Sequence, residues 1–259
     1  ALLSLPLAAC AAGPDYRPPA TAALGLPDGY SGPTPAPGEP DDLSNWWRHF
    51  DDPVLERLVD RALSANLDIA QVVARLRQSR ELLIQAGASR LPTVDGSAGA
   101  GRFFTNQAAD STSLSLGADA AYEVDLFGRV GRSIEAARAD ADAAGFSVET
   151  TRVSIAAETA SAYIQARAAE ARLTVARETL AIQDDNLQIA GWRAQAGLVS
   201  SLDEEQARTQ RAQTAASIPT LESSYANAVN RLAVLTGAAP GTISADLGSA
   251  PIPVGPDDI

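Results

Sequence analysis

Cysteine, histidine and methionine are almost absent from this sequence of 259 residues. The single cysteine, Cys10, excludes a disulfide framework and a metal site built from cysteines. The single histidine, His49, follows two tryptophans closely and is expected to pack or face solvent rather than transfer protons. No Ser-His-Asp set, metal cluster or phosphate-binding loop can be assembled from the other residues. We therefore expect a protein that is not an enzyme and that carries no cofactor and no metal.

Long apolar runs and an excess of basic residues are missing as well. No run reaches the roughly 18 to 20 residues that a membrane-spanning helix needs, so any crossing of a bilayer would have to be made by strands. Lys and Arg together number 20 and Asp and Glu 32, which gives a net charge of −12. This balance cannot neutralise a row of phosphates, which excludes nucleic acid as a partner.

The beginning of the chain carries a specific signal. Residues 7–10 read Leu-Ala-Ala-Cys at the end of an apolar segment and resemble the lipobox of bacterial lipoproteins, in which the signal is cut before an acylated cysteine. In those lipoproteins, an aspartate after the cysteine favours the inner membrane; the residue here is Ala11, which favours the outer membrane. The charged segment and the initiator Met of a signal are missing, so we expect a clipped N-terminus. Prolines recur through residues 11–45 and predict an extended strap.

The longest pattern in the chain is a heptad repeat. From Val130 to Ala194, apolar residues return at alternating intervals of four and three, and only Thr151, Glu158 and Gln183 interrupt them. Such a repeat predicts one helix that supercoils on partners of its own length. At ~1.5 Å per residue it is roughly 100 Å long, which is too long to bury its stripe within one small globule. The pattern predicts a conduit, a rod or an assembly element.

Just before this helix the period changes to two. Residues 93–104 are compatible with a first strand, residues 105–113 form a polar loop, and a second strand follows. Its roughly 11 residues fit a tilted outer-membrane strand, and equally a half-buried hairpin on a soluble core. In the membrane case, Asp119 and Glu123 line a water-filled barrel, and closing that barrel requires further copies of the chain or a second hairpin. One face of the strand carries Leu114, Leu116, Ala118, Ala120, Tyr122 and Val124, and the other carries Ser115, Gly117, Asp119, Ala121, Glu123 and Asp125.

Shorter helices flank these two elements. Asp52-Pro53 is typical of an N-cap followed by the first helical residue. A capping box from Asp68 to Gln71 predicts that this region divides into two helices. After the long helix, Gly197 fits a left-handed C-cap, and Ser201 with Glu204 predicts a capping box for a return helix. Pro219 predicts a kink or a break within that return helix.

Five motifs, spread over nearly the whole chain, carry a resemblance to a known family. In this order they resemble the outer-membrane factors of bacterial tripartite efflux pumps, the TolC-like family, and in particular its NodT-type lipoprotein branch. The motifs are Gly13-Pro14-Asp15-Tyr16-Arg17-Pro18-Pro19, Trp46-Trp47-Arg48-His49-Phe50-Asp51-Asp52-Pro53-Val54-Leu55, Tyr122-Glu123-Val124-Asp125-Leu126-Phe127-Gly128-Arg129, Gly197-Leu198-Val199-Ser200 with Asp203, and Leu232-Ala233-Val234-Leu235-Thr236-Gly237.

The resemblance implies a mainly α fold, a very long coiled-coil helical hairpin with an inserted β-hairpin that contributes to a trimeric outer-membrane β-barrel. It implies the channel component of a tripartite efflux system that exports small molecules such as drugs. The implied partners are the other copies of a homotrimer, a periplasmic adaptor, an inner-membrane pump reached through the adaptor, and outer-membrane lipid. Family members carry two tandem repeats of this unit and the chain holds one, so we expect a fragment or a truncation.

The resemblance also assigns roles to residues. Cys10 would be the lipidation site of a lipid-anchored outer-membrane protein that extends into the periplasm. The turn between the long helices would bind the adaptor, with exposed Leu198 and Val199 as apolar anchors. The residues of this adaptor-binding tip are Gly197, Leu198, Val199, Ser200 and Asp203.

Two alternatives remain open at this point. The chain could be the outer-membrane conduit of a type I secretion system, or it could be a periplasmic adaptor or a structural coiled-coil lipoprotein. The predicted segments are a signal remnant and lipobox (1–10), the strap (11–45), N-terminal helices (46–92), a transmembrane β-hairpin (93–125), the long periplasmic helix (126–196), the tip turn (197–201), the return helix (202–237) and a tail (238–259).

Overall fold

The computed structural model describes residues 43–105, 108–248 and 251–255, together with residues 17, 19, 20, 24 and 25. Cys10 and most of the predicted strap lie outside the described residues. The described part is mainly helical with one inserted antiparallel pair of strands, which confirms the predicted fold class. Its elements are a 3-10 helix (Leu43–Phe50), α1 (Pro53–Ala65), α2 (Leu67–Ala88), β1 (Thr93–Thr105), β2 (Ala108–Ala121), α3 (Arg129–Gln195), α4 (Ser201–Leu235) and α5 (Ile243–Leu247).

The chain divides into two compact units. The first contains Val73–Ser147, with the end of α2, both strands and the start of α3. The second contains residues 43–72 and the described residues from Val148 onward, with α1, most of α3, α4 and α5. The hydrophobic core of the second unit collects side chains from these four helices. It includes Leu55, Leu58, Val59, Ile155, Ala156, Tyr163, Ala166, Val229, Leu232, Ile243 and Leu247.

Helix α1 begins as the sequence predicts. The carboxylate of Asp52 accepts hydrogen bonds from the backbone N–H groups of Val54 at 2.8 Å and Leu55 at 3.1 Å. Pro53 occupies the first turn, where its missing N–H costs nothing. This N-cap fixes the start of α1, which contributes Leu55, Leu58 and Val59 to the core.

The predicted division between α1 and α2 is confirmed, but the capping residue is Asn66 rather than Asp68. The side-chain oxygen of Asn66 accepts from the N–H groups of Asp68 at 2.8 Å and Ile69 at 3.2 Å, so Asp68 already lies inside the helix. The side-chain amide of Asn66 also donates to the carbonyl oxygen of Leu235, at 2.9 Å. One buried amide therefore caps α2 and binds the end of α4, 169 residues away along the chain.

The heptad stripe of α3 is confirmed along its whole length. Every predicted member from Val130 to Ala194 is buried or half-buried. Burial is greatest between Val148 and Ala169, where the stripe enters the core of the second unit, and it is only partial from Leu173 onward. The far end of the α3 and α4 pair is thus held by a narrow seam of small and aliphatic side chains.

Helix α4 differs from the prediction at two places. It continues through Pro219 without a break. The proline removes one intrahelical hydrogen bond, but Ile218 and Leu221 on either side of it in the sequence are half-buried, and their packing offsets the loss. Its N-cap is Ser200 and the acid three residues later is Asp203, so the predicted capping box at Ser201 and Glu204 is displaced by one residue.

None of the helices in the described ranges is both long enough and apolar enough to cross a membrane.

The double role of Asn66 leads to a stability prediction. Asn66→Ala removes the α2 cap and leaves the buried Leu235 carbonyl without its donor, and it should lower the free energy of unfolding by about 2 to 4 kcal/mol. Asn66→Ser retains a capping oxygen but cannot reach Leu235, so it should fall between Asn66→Ala and wild type. Denaturant unfolding followed by circular dichroism measures this order. Equal stability of Asn66→Ala and wild type would contradict it.

Candidate functional site

The turn between α3 and α4 is built from two complementary caps. Gly197 has φ +71, a left-handed conformation that glycine adopts without strain. The N–H of Gly197 donates to Ala194 at 3.0 Å and that of Leu198 donates to Arg193 at 2.9 Å, which is the Schellman pattern of a helix C-terminus. On the other side, the N–H and hydroxyl of Ser200 both donate to the carboxylate of Asp203, at 3.0 and 2.8 Å. The turn is therefore rigid and short.

Because the turn is fixed, its apolar side chains are presented to solvent. Leu198 is 75% exposed, whereas Val199 is half-buried. Two neighbours that the sequence prediction did not include, Trp192 and Leu202, are 60% and 63% exposed. The capping motifs could have identified them. A chain reversal at Gly197 brings the end of α3, with Trp192, to the same end of the helical hairpin as the start of α4, with Leu202. Together these four side chains form the tip patch, which consists of Trp192, Leu198, Val199 and Leu202.

Ion pairs between the two helices hold the tip in register. The guanidinium of Arg211 donates to Asp184 at 2.7 Å and that of Arg177 to Glu222 at 2.8 Å. Both pairs are solvent-exposed, so each contributes at most about 1 kcal/mol. Their main effect is to fix which turn of α4 lies beside which turn of α3. Of the five predicted tip residues, four lie in the turn between α3 and α4, and Asp203 lies in the first turn of α4.

The β-hairpin has two unlike faces, as the alternation predicts. The strands pair antiparallel, with Leu116 opposite Ala98 and Asp119 opposite Asp95. Side chains opposite each other share a face, so Leu114, Leu116, Ala118 and Ala120 stand beside Val94, Ala98 and Ala100. The other face combines serines and glycines with the two aspartates. The predicted polar loop over 105–113 is wrong, because β2 already begins at Ala108.

The end of the second strand also differs from the prediction. β2 ends at Ala121, so Glu123 and Asp125 lie in the connection to α3 rather than in the strand. The carboxylate of Glu123 accepts two hydrogen bonds from the Arg129 guanidinium, at 3.1 and 2.6 Å, and this pairing favours the turn over continued extension. The lumen assignments of Asp119 and Glu123 stay predictions, and only Asp119 lies within a strand.

Asp125 closes the same connection from the helix side. Its carboxylate accepts from the backbone N–H of Gly131 at 3.0 Å. This hydrogen bond at the start of α3 lowers the pKa of Asp125 below its ordinary value of 3.8, against a smaller opposing effect of desolvation. Gly128, with φ +74, supplies the left-handed residue that the reversal needs. The short connection therefore joins strand to helix rigidly.

A buried polar cluster on α3 was not predicted. Arg167 is 1% exposed and donates to the Tyr163 hydroxyl at 3.1 Å, to Glu170 at 3.0 Å and to the carbonyl oxygens of Leu247 and Gly248. The Tyr163 hydroxyl in turn donates to Asp52 at 2.7 Å, and burial raises the pKa of this hydroxyl. Because Leu247 and Gly248 lie at least 80 residues from Arg167, and Asp52 lies 111 residues from Tyr163, no local pattern reveals this cluster. It fastens α5 and the start of α1 to α3.

The described residues offer no chemistry for a metal. In the part of the chain that the structure describes, no group of three or more His, Cys, Asp or Glu side chains could hold an ion. The tip, the hairpin and the connection each present exposed apolar side chains, such as Leu198, Leu116 and Phe127 respectively.

Comparison with known proteins identifies the family. The family model described as outer membrane efflux protein matches residues 58–238, which is more than half of the chain. The chain belongs to the outer membrane efflux protein family. The match includes both strands, the connection, all of α3 and the tip.

Individual members of the outer membrane efflux protein family give the same result. Nodulation protein T of Rhizobium leguminosarum bv. viciae is 31% identical over 240 residues, which cover 91% of this chain and 48% of that protein. The toluene efflux pump outer membrane protein TtgF of Pseudomonas putida is 32% identical over 222 residues, 80% of this chain and 46% of TtgF. The solved outer-membrane channel OprN superposes with a TM-score of 0.75 at 34% identity, over 96% of this chain and 57% of OprN. The chain spans about half the length of the curated relatives it matches.

The connection between β2 and α3 gives a pH prediction. Because the folded-state pKa of Asp125 is lowered, its contribution to stability is present above the unfolded value and is lost as pH falls through the folded value. Asp125→Asn cannot lose a charge, so its melting temperature should fall less steeply than that of wild type between roughly pH 5 and pH 3. Asp140→Asn, at an exposed position of α3, is the charge-matched control and should follow wild type. Identical pH profiles for Asp125→Asn and wild type would contradict the role of this carboxylate.

Proposed function

We propose that the protein is the outer-membrane channel component of a tripartite efflux system, which exports small molecules from the periplasm to the exterior through a homotrimeric conduit. The observation that carries the proposal is the combination of a two-faced β-hairpin with an exposed leucine face and a long helical hairpin in one chain of this family. The relatives support it, since TtgF is named as a pump outer membrane protein and OprN as an outer-membrane channel.

The hairpin supports an assembly of strands from several sources. Within the described residues the sheet has only two strands, so both of its outer edges carry unpaired backbone groups. Leu114 and Leu116 are 85% and 88% exposed on one face, which suits lipid, while the serines and Asp119 on the other suit water. In a bilayer the edges must be paired, which a closed barrel of strands achieves. We infer that hairpins of neighbouring copies supply those strands.

The exposed apolar side chains of α3 support the same assembly. Phe146, Val153, Val175 and Ile182 lie outside the buried stripe and are at least 60% exposed. Phe146 and Val153 are seven residues apart, and so are Val175 and Ile182, which is the spacing of a second helical seam. Helices of neighbouring copies would cover it and form the wall of a periplasmic tunnel.

The remaining assignments follow from position. The tip patch is the end of the helical hairpin and would bind a periplasmic adaptor, which itself contacts an inner-membrane pump. Cys10 would carry the lipid that anchors the chain to the outer membrane, with the strap leading from the lipid to the helices. The conduit would act by passage through a water-filled channel, without catalysis and without a cofactor.

A charge placed in the tip patch tests this proposal. Leu198→Asp puts a carboxylate at an apolar contact, so it should abolish drug resistance in a complementation assay with the full-length gene. The trimer and its insertion in the outer membrane should be unchanged, because Leu198 is exposed and lies in a turn held by backbone bonds.

The matched control carries the same new charge away from the tip. Gln210 is exposed on α4, and Gln210→Asp should leave resistance, trimer and insertion at wild-type levels. Full resistance with Leu198→Asp would remove the adaptor-binding role of the tip. Loss of resistance together with loss of the trimer would show that Leu198 serves assembly instead.

A further inference from the structure

A cleft in the second compact unit is bounded by the 3-10 helix, α1 and α3. Its volume is about 350 Å³, and its apolar walls come from Trp46 and Trp47 of the 3-10 helix, Leu63 of α1, and Val153 and Ala156 of α3. The rings of Trp46 and Trp47 meet edge to face, with their centroids 6.0 Å apart. This contact holds a flat apolar surface in place at one side of the cleft.

Two opposite charges line the same cleft. Glu149 and Arg152 lie one turn apart on α3, and both are exposed. Among the residues that the structure describes, neither side chain forms an ion pair or a hydrogen bond. By contrast, Arg132 and Glu135, which have the same spacing on α3, are joined at 2.7 Å. The two charged groups at the cleft are therefore available to a ligand.

One wall of the cleft contains a buried hydrogen-bond donor. Trp47 is 5% exposed, and its indole N–H has no acceptor among the described residues. An indole nitrogen can only donate, and a buried donor that lacks an acceptor is costly. This favours a ligand that brings acceptor oxygens to this side of the cleft.

We propose that the cleft binds a free α-amino acid with an apolar side chain. The ammonium of the ligand lies at the carboxylate of Glu149. Its carboxylate accepts hydrogen bonds from the guanidinium of Arg152, which can donate two at once. Its side chain lies against Trp46 and the aliphatic side chains of Leu63 and Val153.

The two charges select a ligand that carries both signs. A neutral apolar molecule would desolvate Glu149 and Arg152 without pairing them, which is costly. A simple cation would be repelled by Arg152, and a simple anion would be repelled by Glu149. An α-amino acid carries its ammonium and carboxylate on one carbon. It therefore meets both side chains, which are neighbours on the helix surface.

The size of the cleft limits the ligand to a single amino acid. Sites for small molecules usually have volumes of about 300 to 1,000 Å³. The cleft, at about 350 Å³, is near the lower limit. A dipeptide is larger and places its ammonium and carboxylate on different carbons. Phenylalanine or leucine fits the volume and the charges together.

Binding at this cleft goes beyond the proposed conduit and does not depend on export. Val153 also belongs to the outer seam of α3, so the cleft opens beside the surface that neighbouring copies would cover. The test therefore uses the full-length protein. A negative result would leave the channel proposal unchanged, because Glu149 and Arg152 lie outside the tip patch and the hairpin.

Calorimetric titration of the full-length protein in detergent with L-phenylalanine tests the site. The Kd should be about 1 mM or lower, as for a ligand of this size. Glu149→Gln and Arg152→Gln should each raise the Kd at least about tenfold, because each removes a charged partner. Glu178→Gln and Arg138→Gln are the matched controls at exposed positions of α3 outside the cleft, and they should bind like wild type.

Three analogues test the chemistry of the ligand. 3-Phenylpropionate lacks the ammonium and phenethylamine lacks the carboxylate, so each should bind at least about tenfold more weakly than phenylalanine. Glycylphenylalanine separates the two charges and should also bind more weakly.

Three results would overturn the proposal. The first is an absence of phenylalanine binding at about ten times the expected Kd. The second is an equal affinity for phenylalanine and phenethylamine, which would show that the carboxylate is not recognised. The third is an unchanged affinity in both Glu149→Gln and Arg152→Gln, which would locate the binding elsewhere.

Discussion

Each edge of the β-hairpin presents backbone N–H and C=O groups that must be either solvated or paired. In the part of the chain that the structure describes, β1 and β2 pair only with each other. Water could solvate the free N–H and C=O groups, but the leucine face of the hairpin favours lipid, where no water is present to do so. Under the proposed function, hairpins of neighbouring copies would supply additional strands that satisfy the face and the edges together.

The helices also present groups that neighbouring copies would cover, and these are apolar side chains rather than backbone groups. The inner stripe of α3 is covered by the chain itself, most completely between Val148 and Ala169. The outer residues, such as Val175 and Ile182, remain exposed. The rigid caps at Gly197 and Ser200 and the ion pair of Glu123 with Arg129 hold the turns between these elements. The turns are thus fixed within one chain, whereas part of the apolar surface of α3 stays exposed.

Features with a short sequence period could be predicted well. The heptad repeat gave the extent of α3 to within a few residues, and the two-residue period gave the faces of β2. Capping positions were less accurate, since neighbouring Ser200 and Ser201, or Asn66 and Asp68, offer similar oxygens. At Asn66 a contact elsewhere in the chain accompanies the cap, because the same side chain donates to Leu235.

Features held by distant residues could not be predicted. Arg167 looks like a polar residue of a long helix, and only the folded chain shows that it binds Leu247 and Gly248. Asn66 likewise reaches Leu235. Trp192 and Leu202 join the tip patch because two helix ends meet there. Each of these depends on tertiary packing, for which a single sequence contains no periodic signal.

The mass of the full-length protein in detergent micelles counts the copies that would complete the sheet edges and cover the outer helix faces. Native mass spectrometry after extraction from outer membranes should give a trimer. A monomer that stays soluble after the detergent is removed would contradict the account, since it would have no partner to cover Leu116 or to pair the free strand edges.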